Sequence, residues 1–75
     1  MELINLKPGE HGIIDSIKGD SKLTKRLLAL GCIEGTEIIM KMAAPLGDPL
    51  IINFRGFDLA IRKKDAECIM LEAIG

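Results

Sequence analysis

Residues 42–49 constrain the fold of this chain more than any other stretch, because two prolines and a glycine interrupt an otherwise apolar region. Pro45 and Pro49 fix their own φ angles and push the residues before them towards extended conformations. Gly47 tolerates a left-handed backbone, and Asp48 is a residue type that hydrogen-bonds nearby backbone in turns. The segment therefore predicts a rigid connection between two strands. The sequence leaves a second interpretation open, an exposed apolar ridge that contacts a partner, made of Ala43, Ala44, Pro45 and Leu46.

Alternating apolar and polar residues predict half-buried antiparallel strands on both sides of this segment, over residues 36–42 and 50–55. The side chains that this alternation places on the core side are Ile38, Met40 and Met42 in the first strand and Leu50, Ile52 and Phe54 in the second. A turn or bulge at Gly56 leads to a third strand, in which Leu59 and Ile61 are expected to face the core. Two more strands are predicted over residues 12–18 and 68–72, with one helical turn at residues 63–67 before the last strand.

One longer helix is predicted over about residues 21–31, from leucines that recur at helical spacing. The leucines expected to lie on the sheet are Leu23, Leu27, Leu28 and Leu30. Asp20 or Ser21 is expected to cap the start by accepting a free backbone N–H, and Gly31 is expected to end the helix. About five short strands with one inserted helix predict a mainly β protein, a small antiparallel barrel whose closure leaves few unpaired edges.

The composition limits the classes of function. A chain of 75 residues, with 48% hydrophobic and 28% charged residues, is expected to fold as one domain over residues 1–75. Two Phe, no Trp or Tyr and a net charge of -1 argue against a nucleic-acid partner, which needs stacking aromatics or a positive field. The short basic runs are interpreted as solvated faces; they are Lys22, Lys25 and Arg26, and then Arg62, Lys63 and Lys64.

Candidate chemical groups are few. The single histidine, His11, has no evident nucleophile or orienting partner, so we expect no enzyme. Cys32 and Cys68 lack a metal-type spacing, and we expect them to be small core residues. Weak binding of Fe²⁺ or Zn²⁺ by His11, Cys32 or Cys68 stays open. The acidic start of the chain and the lack of a long apolar run predict a cytoplasmic protein that does not span a membrane, with reduced thiols.

Four blocks of residues carry a family resemblance over nearly the whole chain. They are Leu6-Lys7-Pro8-Gly9 with Gly12, Arg26-Leu27-Leu28-Ala29-Leu30-Gly31 with Gly35, Ala44-Pro45-Leu46-Gly47-Asp48-Pro49, and Leu59-Ala60-Ile61-Arg62 with Ala66 and Ile69. With them the chain resembles the FeoA family, small proteins of the bacterial and archaeal ferrous iron uptake system. Cys32, where an aliphatic residue is common, and Glu34, where proline is frequent, depart from the family pattern.

The resemblance implies an SH3-like β-barrel with an added helix, which acts with the membrane transporter FeoB and has no enzyme activity. Similar domains also occur at the C-terminus of metal-dependent repressors of the diphtheria toxin repressor type. Because the sequence shows no helix-turn-helix before the barrel, we expect a stand-alone protein of the branch that acts with the transporter. The expected docking surface on the cytosolic part of the transporter consists of Arg26, Leu27, Leu30, Gly31, Ala44, Pro45, Leu46, Gly47, Asp48 and Pro49. The alternative is a metal-responsive regulatory module, and self-association stays open.

Overall fold

The computed structural model describes residues 1–19 and 22–74, and side chains up to residue 72. Five antiparallel strands form one sheet: β1 (His11–Ile17), β2 (Glu37–Ala43), β3 (Leu50–Phe54), β4 (Phe57–Ile61) and β5 (Ile69–Ile74). The helices are α1 (Lys22–Ala29) and the short α2 (Lys63–Ala66), and a 3₁₀ turn covers Leu3–Asn5. This arrangement confirms the predicted mainly β fold with one longer inserted helix.

The strands lie in the order β4-β3-β2-β1-β5, so β4 and β5 are the outermost strands. Among the described residues, the strand pairings do not join β4 to β5, and closure of the barrel stays a prediction. An isolated antiparallel bridge pairs Glu2 with Met70 of β5.

The predicted inner face of β2 is correct for Ile38 and Met40, which are buried, but wrong for Met42. The pairing of β2 with β3 slips by one residue between Met40 and Met42. Such a bulge inserts an extra residue and reverses the side on which the following side chains lie. Met42 is therefore 53% exposed, next to the loop that follows β2.

The end of α1 is closed by the glycine that the sequence indicated. Gly31 has a φ of +82°, and its N–H donates to the carbonyl of Leu28 at 3.1 Å. The N–H of Cys32 donates to the carbonyl of Leu27 at 2.8 Å. These two bonds are the pattern of a glycine-capped helix end, and they satisfy carbonyls that the helix leaves free. The last helical residue is Ala29, two residues before the predicted end, and the capping residues proposed for the start, Asp20 and Ser21, lie outside the described residues.

The face of α1 that meets the sheet is narrower than the leucine spacing predicted. Thr24 and Leu27 are buried and Leu23 packs against the core. Leu28 is 54% exposed because it lies about 100° around the helix from Leu27. Leu30 is exposed because the helix has already ended at Ala29. The prediction that Leu28 and Leu30 lie on the sheet is therefore wrong.

Fully buried side chains from the strands, both helices and the N-terminal turn meet in one hydrophobic core. Those with no exposed area include Leu3, Leu27, Cys32, Ile38, Ile52, Ala66 and Ile69. No helix in the described part of the chain has the length and apolar character needed to cross a bilayer.

Candidate functional site

The loop between β2 and β3, residues 44–49, is called the proline loop below. Its backbone is closed by two hydrogen bonds. The N–H of Gly47 donates to the carbonyl of Ala44 at 2.7 Å, and the N–H of Ala44 donates to the carbonyl of Pro49 at 3.0 Å. Gly47 has a φ of +83°, a left-handed conformation that costs other residues more than glycine. The loop is thus a defined bend at the end of the β2–β3 pair.

Asp48 ties the proline loop to α2 rather than to its own turn. A carboxylate oxygen of Asp48 accepts a hydrogen bond from the backbone N–H of Lys63 at 2.8 Å. The pairing of Leu50 with Ile61 brings the end of β4, and hence the start of α2, beside the loop. Arg62 precedes the helix and makes no side-chain capping bond, so Asp48 supplies the acceptor for the free N–H from a distant part of the chain. The nearby backbone bond expected for Asp48 is replaced by this longer-range contact.

The proline loop presents apolar side chains to solvent. Leu46 is 96% exposed, and Ala43 and Pro45 are exposed beside it. Ala44, Gly47 and Pro49 are half-buried. An open depression of about 380 Å³ next to the loop is lined by Asp48, Pro49 and Arg62. Exposed apolar groups joined to a fixed backbone are typical of a contact surface.

A second exposed surface lies where α1 ends. Leu28, Leu30 and Ile33 are exposed there and surround Gly31 in sequence; these four residues and Arg55 are called the helix end. The guanidinium of Arg55 lies against Gly31, since a Cβ on Gly31 would be 3.0 Å from its Nη1 atom.

Arg55 belongs to the two-residue turn between β3 and β4. Arg55 and Gly56 both have positive φ angles, 54° and 77°, as a tight hairpin turn requires. The turn joins the paired residues Phe54 and Phe57, whose ring centroids are 5.8 Å apart. Phe57, two residues after Arg55, remains half exposed.

The residues predicted to contact a partner do not form one continuous patch. The proline loop precedes the first residue of β3, whereas Arg55, which lies against Gly31, follows its last residue. A strand rises about 3.3 Å per residue, so β3 spans roughly 13 Å between the two ends. Arg26, Leu30 and Gly31 thus belong to a different end of the strand from the proline loop.

The exposure of the side chains differs from the predicted contact set at several positions. Leu27 is fully buried in the core, so its side chain is unavailable to a partner. The exposed apolar residues that the sequence did not single out as contacts are Leu28, Ile33, Met42 and Phe57. The Arg55-Gly56 pair contained a signal for the hairpin turn, because a glycine follows a strand pattern there, but the contact of Arg55 with Gly31 depends on the tertiary fold.

The structure keeps the three candidate metal ligands apart. His11 Nδ1 lies 2.6 Å from a carboxylate oxygen of Glu37 on the neighbouring strand. Cys32 lies in the core, where burial raises the pKa of its thiol to about 11 although Arg55 acts in the opposite direction. Burial also raises the pKa of Cys68, whose thiol donates to the carbonyl of Asp65 at 2.9 Å. Residues 1–19 and 22–74 contain no group of three or more His, Cys, Asp and Glu side chains placed to hold a metal ion.

Comparison with known protein families identifies one family, which matches nearly the whole chain. The FeoA domain family matches residues 1–73. A Porphyromonas gingivalis protein named as a fusion of Fe(2+) transport protein A with the Fe(2+) transporter FeoB is 31% identical over 74 residues, which is 99% of this chain and 9% of that protein. The chain therefore spans about a tenth of the length of this relative.

Solved structures agree in fold. The FeoA protein of Chlorobium tepidum superposes with a TM-score of 0.93 and 32% identity, over 100% of this chain and 71% of that one. Stenotrophomonas maltophilia FeoA, solved with zinc and described as an SH3 domain protein, superposes with a TM-score of 0.83 and 24% identity, over 96% of this chain and 89% of that one. The second likeness supports the fold alone.

Proposed function

We propose, from the premise that this chain belongs to the FeoA family, that it is a non-catalytic accessory protein of ferrous iron uptake. It docks in the cytoplasm on the cytosolic part of a FeoB-type transporter and modulates transport, with residues 1–75 acting as one domain. The observation that carries this proposal is the Porphyromonas gingivalis relative, whose name joins a matching segment to a FeoB transporter in one polypeptide. A covalent fusion keeps the two parts at high effective concentration, so it supports a working contact between them.

The helix end is the surface that we assign to the transporter. It combines exposed leucines with Arg55 and lies next to the exposed cation Arg26 on α1. Arginine is enriched among the residues that dominate the binding energy of protein interfaces, and apolar side chains around it help to exclude water from such a contact. The proline loop, with Ala44, Pro45, Leu46, Gly47, Asp48 and Pro49, supplies a second contact at the other end of β3.

The metal-responsive alternative finds less support in the arrangement of the side chains. His11 pairs with Glu37, Cys32 is enclosed by the core and Cys68 bonds to Asp65, so each candidate ligand is engaged elsewhere. A metal ion needs several such groups converging on one point.

The test is a binding measurement with the isolated cytosolic part of the transporter. We expect Leu28→Asp combined with Leu30→Asp to weaken binding at least about tenfold, because two charges would have to be desolvated in an apolar contact. Leu46→Asp makes the same change at a more exposed leucine and tests the second contact, the proline loop, separately; its loss should be smaller than that of the double variant, since it introduces one charge instead of two. Circular dichroism checks that each variant folds.

Two outcomes would count against the proposal at different levels. If the unaltered protein does not bind the cytosolic part of the transporter, the docking function is wrong. If it binds and the double aspartate variant binds equally well, the assignment of the helix end is wrong.

A further inference from the structure

The two outer strands of the sheet differ in how their free edges are covered. The start of the chain covers the edge of β5, because Glu2 pairs with Met70 and Met1 exchanges hydrogen bonds with Leu71. Strand β4 is the other outer strand, and β3 is its one partner among the strands that the structure describes. A free strand edge presents a row of N–H and C=O groups with which another strand can pair. The edge of β4 therefore has a defined chemical complement, an extended backbone.

The register of the β3–β4 hairpin shows which backbone groups of β4 point outward. Phe57 pairs with the last residue of β3 across a two-residue turn, so the bonds to β3 are made by Phe57, Leu59 and Ile61. The N–H and C=O groups of Asp58 and Ala60 point the other way. In the described part of the chain, no backbone bond joins these groups to another element. Both residues are exposed, so this edge is open to solvent.

Strand β4 lacks the features that usually keep an edge strand unpaired. Its five residues pair with β3 without a bulge, and it contains neither proline nor lysine. Its one charged side chain, that of Asp58, already accepts a hydrogen bond from the side chain of Asn53 at 2.7 Å. Phe57 at the start of the strand is 49% exposed. The edge thus combines free backbone groups with exposed apolar area.

We propose that β4 pairs with β4 of a second copy of this chain, in antiparallel orientation, about a twofold axis at Leu59. Asp58 of each copy then lies opposite Ala60 of the other, and each of these pairs exchanges both of its N–H···O=C bonds. The two five-stranded sheets become one continuous sheet. The exposed ring of Phe57 lies opposite Ile61 of the second copy, which adds an apolar cross-strand contact.

The charges beside this edge favour a second copy as the partner. Arg62 follows β4 with an extended backbone, so it lies on the same face as Asp58, but roughly 13 Å along the strand separates the two residues within one copy. In the proposed register, Arg62 of each copy lies diagonally across from Asp58 of the other, within reach of a long side chain. Arg62 forms no ion pair with any side chain that the structure describes. At the ends of the pair, Lys63 of one copy comes near Arg55 of the other, whose guanidinium lies against Gly31 and directs its charge towards the end of α1.

The neighbouring registers fit less well. A shift towards the hairpin turn puts Asp58 opposite Asp58 of the second copy, and like charges directly opposite each other are destabilising. A shift the other way brings Arg62 into the ladder, but its carbonyl already accepts the N–H groups of Asp65 and Ala66 at 2.9 Å. The register centred on Leu59 avoids both conflicts and uses the whole strand.

This contact goes beyond docking on a transporter and does not depend on it. One pair of short strands is a small interface, so we expect a weak dimer with a Kd of about 0.1–1 mM. Analytical ultracentrifugation of the protein alone, from about 10 µM to about 1 mM, measures this association. In NMR spectra over the same range, the amide signals of Asp58 and Ala60 should shift with concentration, because their N–H groups gain acceptors.

A backbone variant tests the role of the strand edge. Ala60→Pro removes an N–H that points to the free edge and leaves the bonds to β3 intact. It should weaken dimerisation about tenfold, since each copy loses one donor to the other. Ala60→Ser is the matched control, because it keeps the N–H, and it should stay within about twofold of the unaltered protein. Circular dichroism checks that both variants fold.

Exchanging charges tests whether the partner is a second copy. Asp58→Lys or Arg62→Glu alone places like charges across the axis and should weaken dimerisation about tenfold. An equal mixture of these two variants places opposite charges at both positions, so it should dimerise about as well as the unaltered protein. Each variant alone is the control for the mixture, because the bond to Asn53 that Asp58→Lys removes stays absent there.

The proposal is overturned if the protein stays monomeric up to about 1 mM, if Ala60→Pro dimerises as well as Ala60→Ser, or if the mixture associates no better than each charge variant alone. It is also overturned if the protein is monomeric and Ala60→Pro no longer binds the cytosolic part of the transporter, because the edge would then pair with a strand of the transporter. The self-association measurements contain no transporter, so this proposal and the docking function can fail separately.

Discussion

Cys32 illustrates, at the residue scale, how position decides chemical behaviour. Its backbone N–H closes the end of α1, and its side chain is fully buried in the core. Burial disfavours a charged thiolate and raises the pKa of the thiol from 9.0 to about 11. The residue is therefore a neutral core side chain at physiological pH, in a form that neither binds metal ions well nor reacts readily.

This pKa shift predicts a loss of stability in alkali. The folded protein holds the Cys32 proton more tightly than the unfolded chain, so the contribution is complete below pH 9.0 and is lost as the pH rises towards about 11. In urea unfolding, the free-energy difference between the unaltered protein and Cys32→Ala should shrink by on the order of 2 kcal/mol over that range. Lysines titrate in both proteins and cancel in the difference. A difference that does not change with pH would contradict the burial argument.

At the scale of elements, residue spacing accounted for the strands and most of their inner faces. Alternation identified Leu50, Ile52 and Phe54 as the buried face of β3, and the structure buries all three. Alternation failed at Met42, because a bulge depends on how β2 pairs with β3 and not on the sequence of β2 alone. Helical spacing likewise could not tell Leu27 from Leu28, since both are apolar and only packing against the sheet separates them.

These two adjacent leucines provide a matched pair for measuring what α1 contributes. Leu27→Ala removes a fully buried side chain and leaves a cavity, so it should lower the free energy of unfolding by about 2–5 kcal/mol. Leu28→Ala changes an exposed side chain on the same helix and should stay within about 0.5 kcal/mol. Helix propensity changes in the same way in both variants, so the difference isolates burial. Equal losses in chemical denaturation would mean that the helix packs by another face.

At the scale of the whole molecule, the important relationships join residues that are far apart in the sequence. Asp48 meets Lys63, and Gly31 meets Arg55. Sequence spacing marked the loop, the glycine and both basic runs, but it could not show which of them become neighbours, because that depends on strand order and register. The helix end and the proline loop, which the sequence analysis had grouped into one docking surface, lie at opposite ends of β3. The proline loop lies instead beside Arg62 and Lys63, which had been interpreted as part of a solvated face.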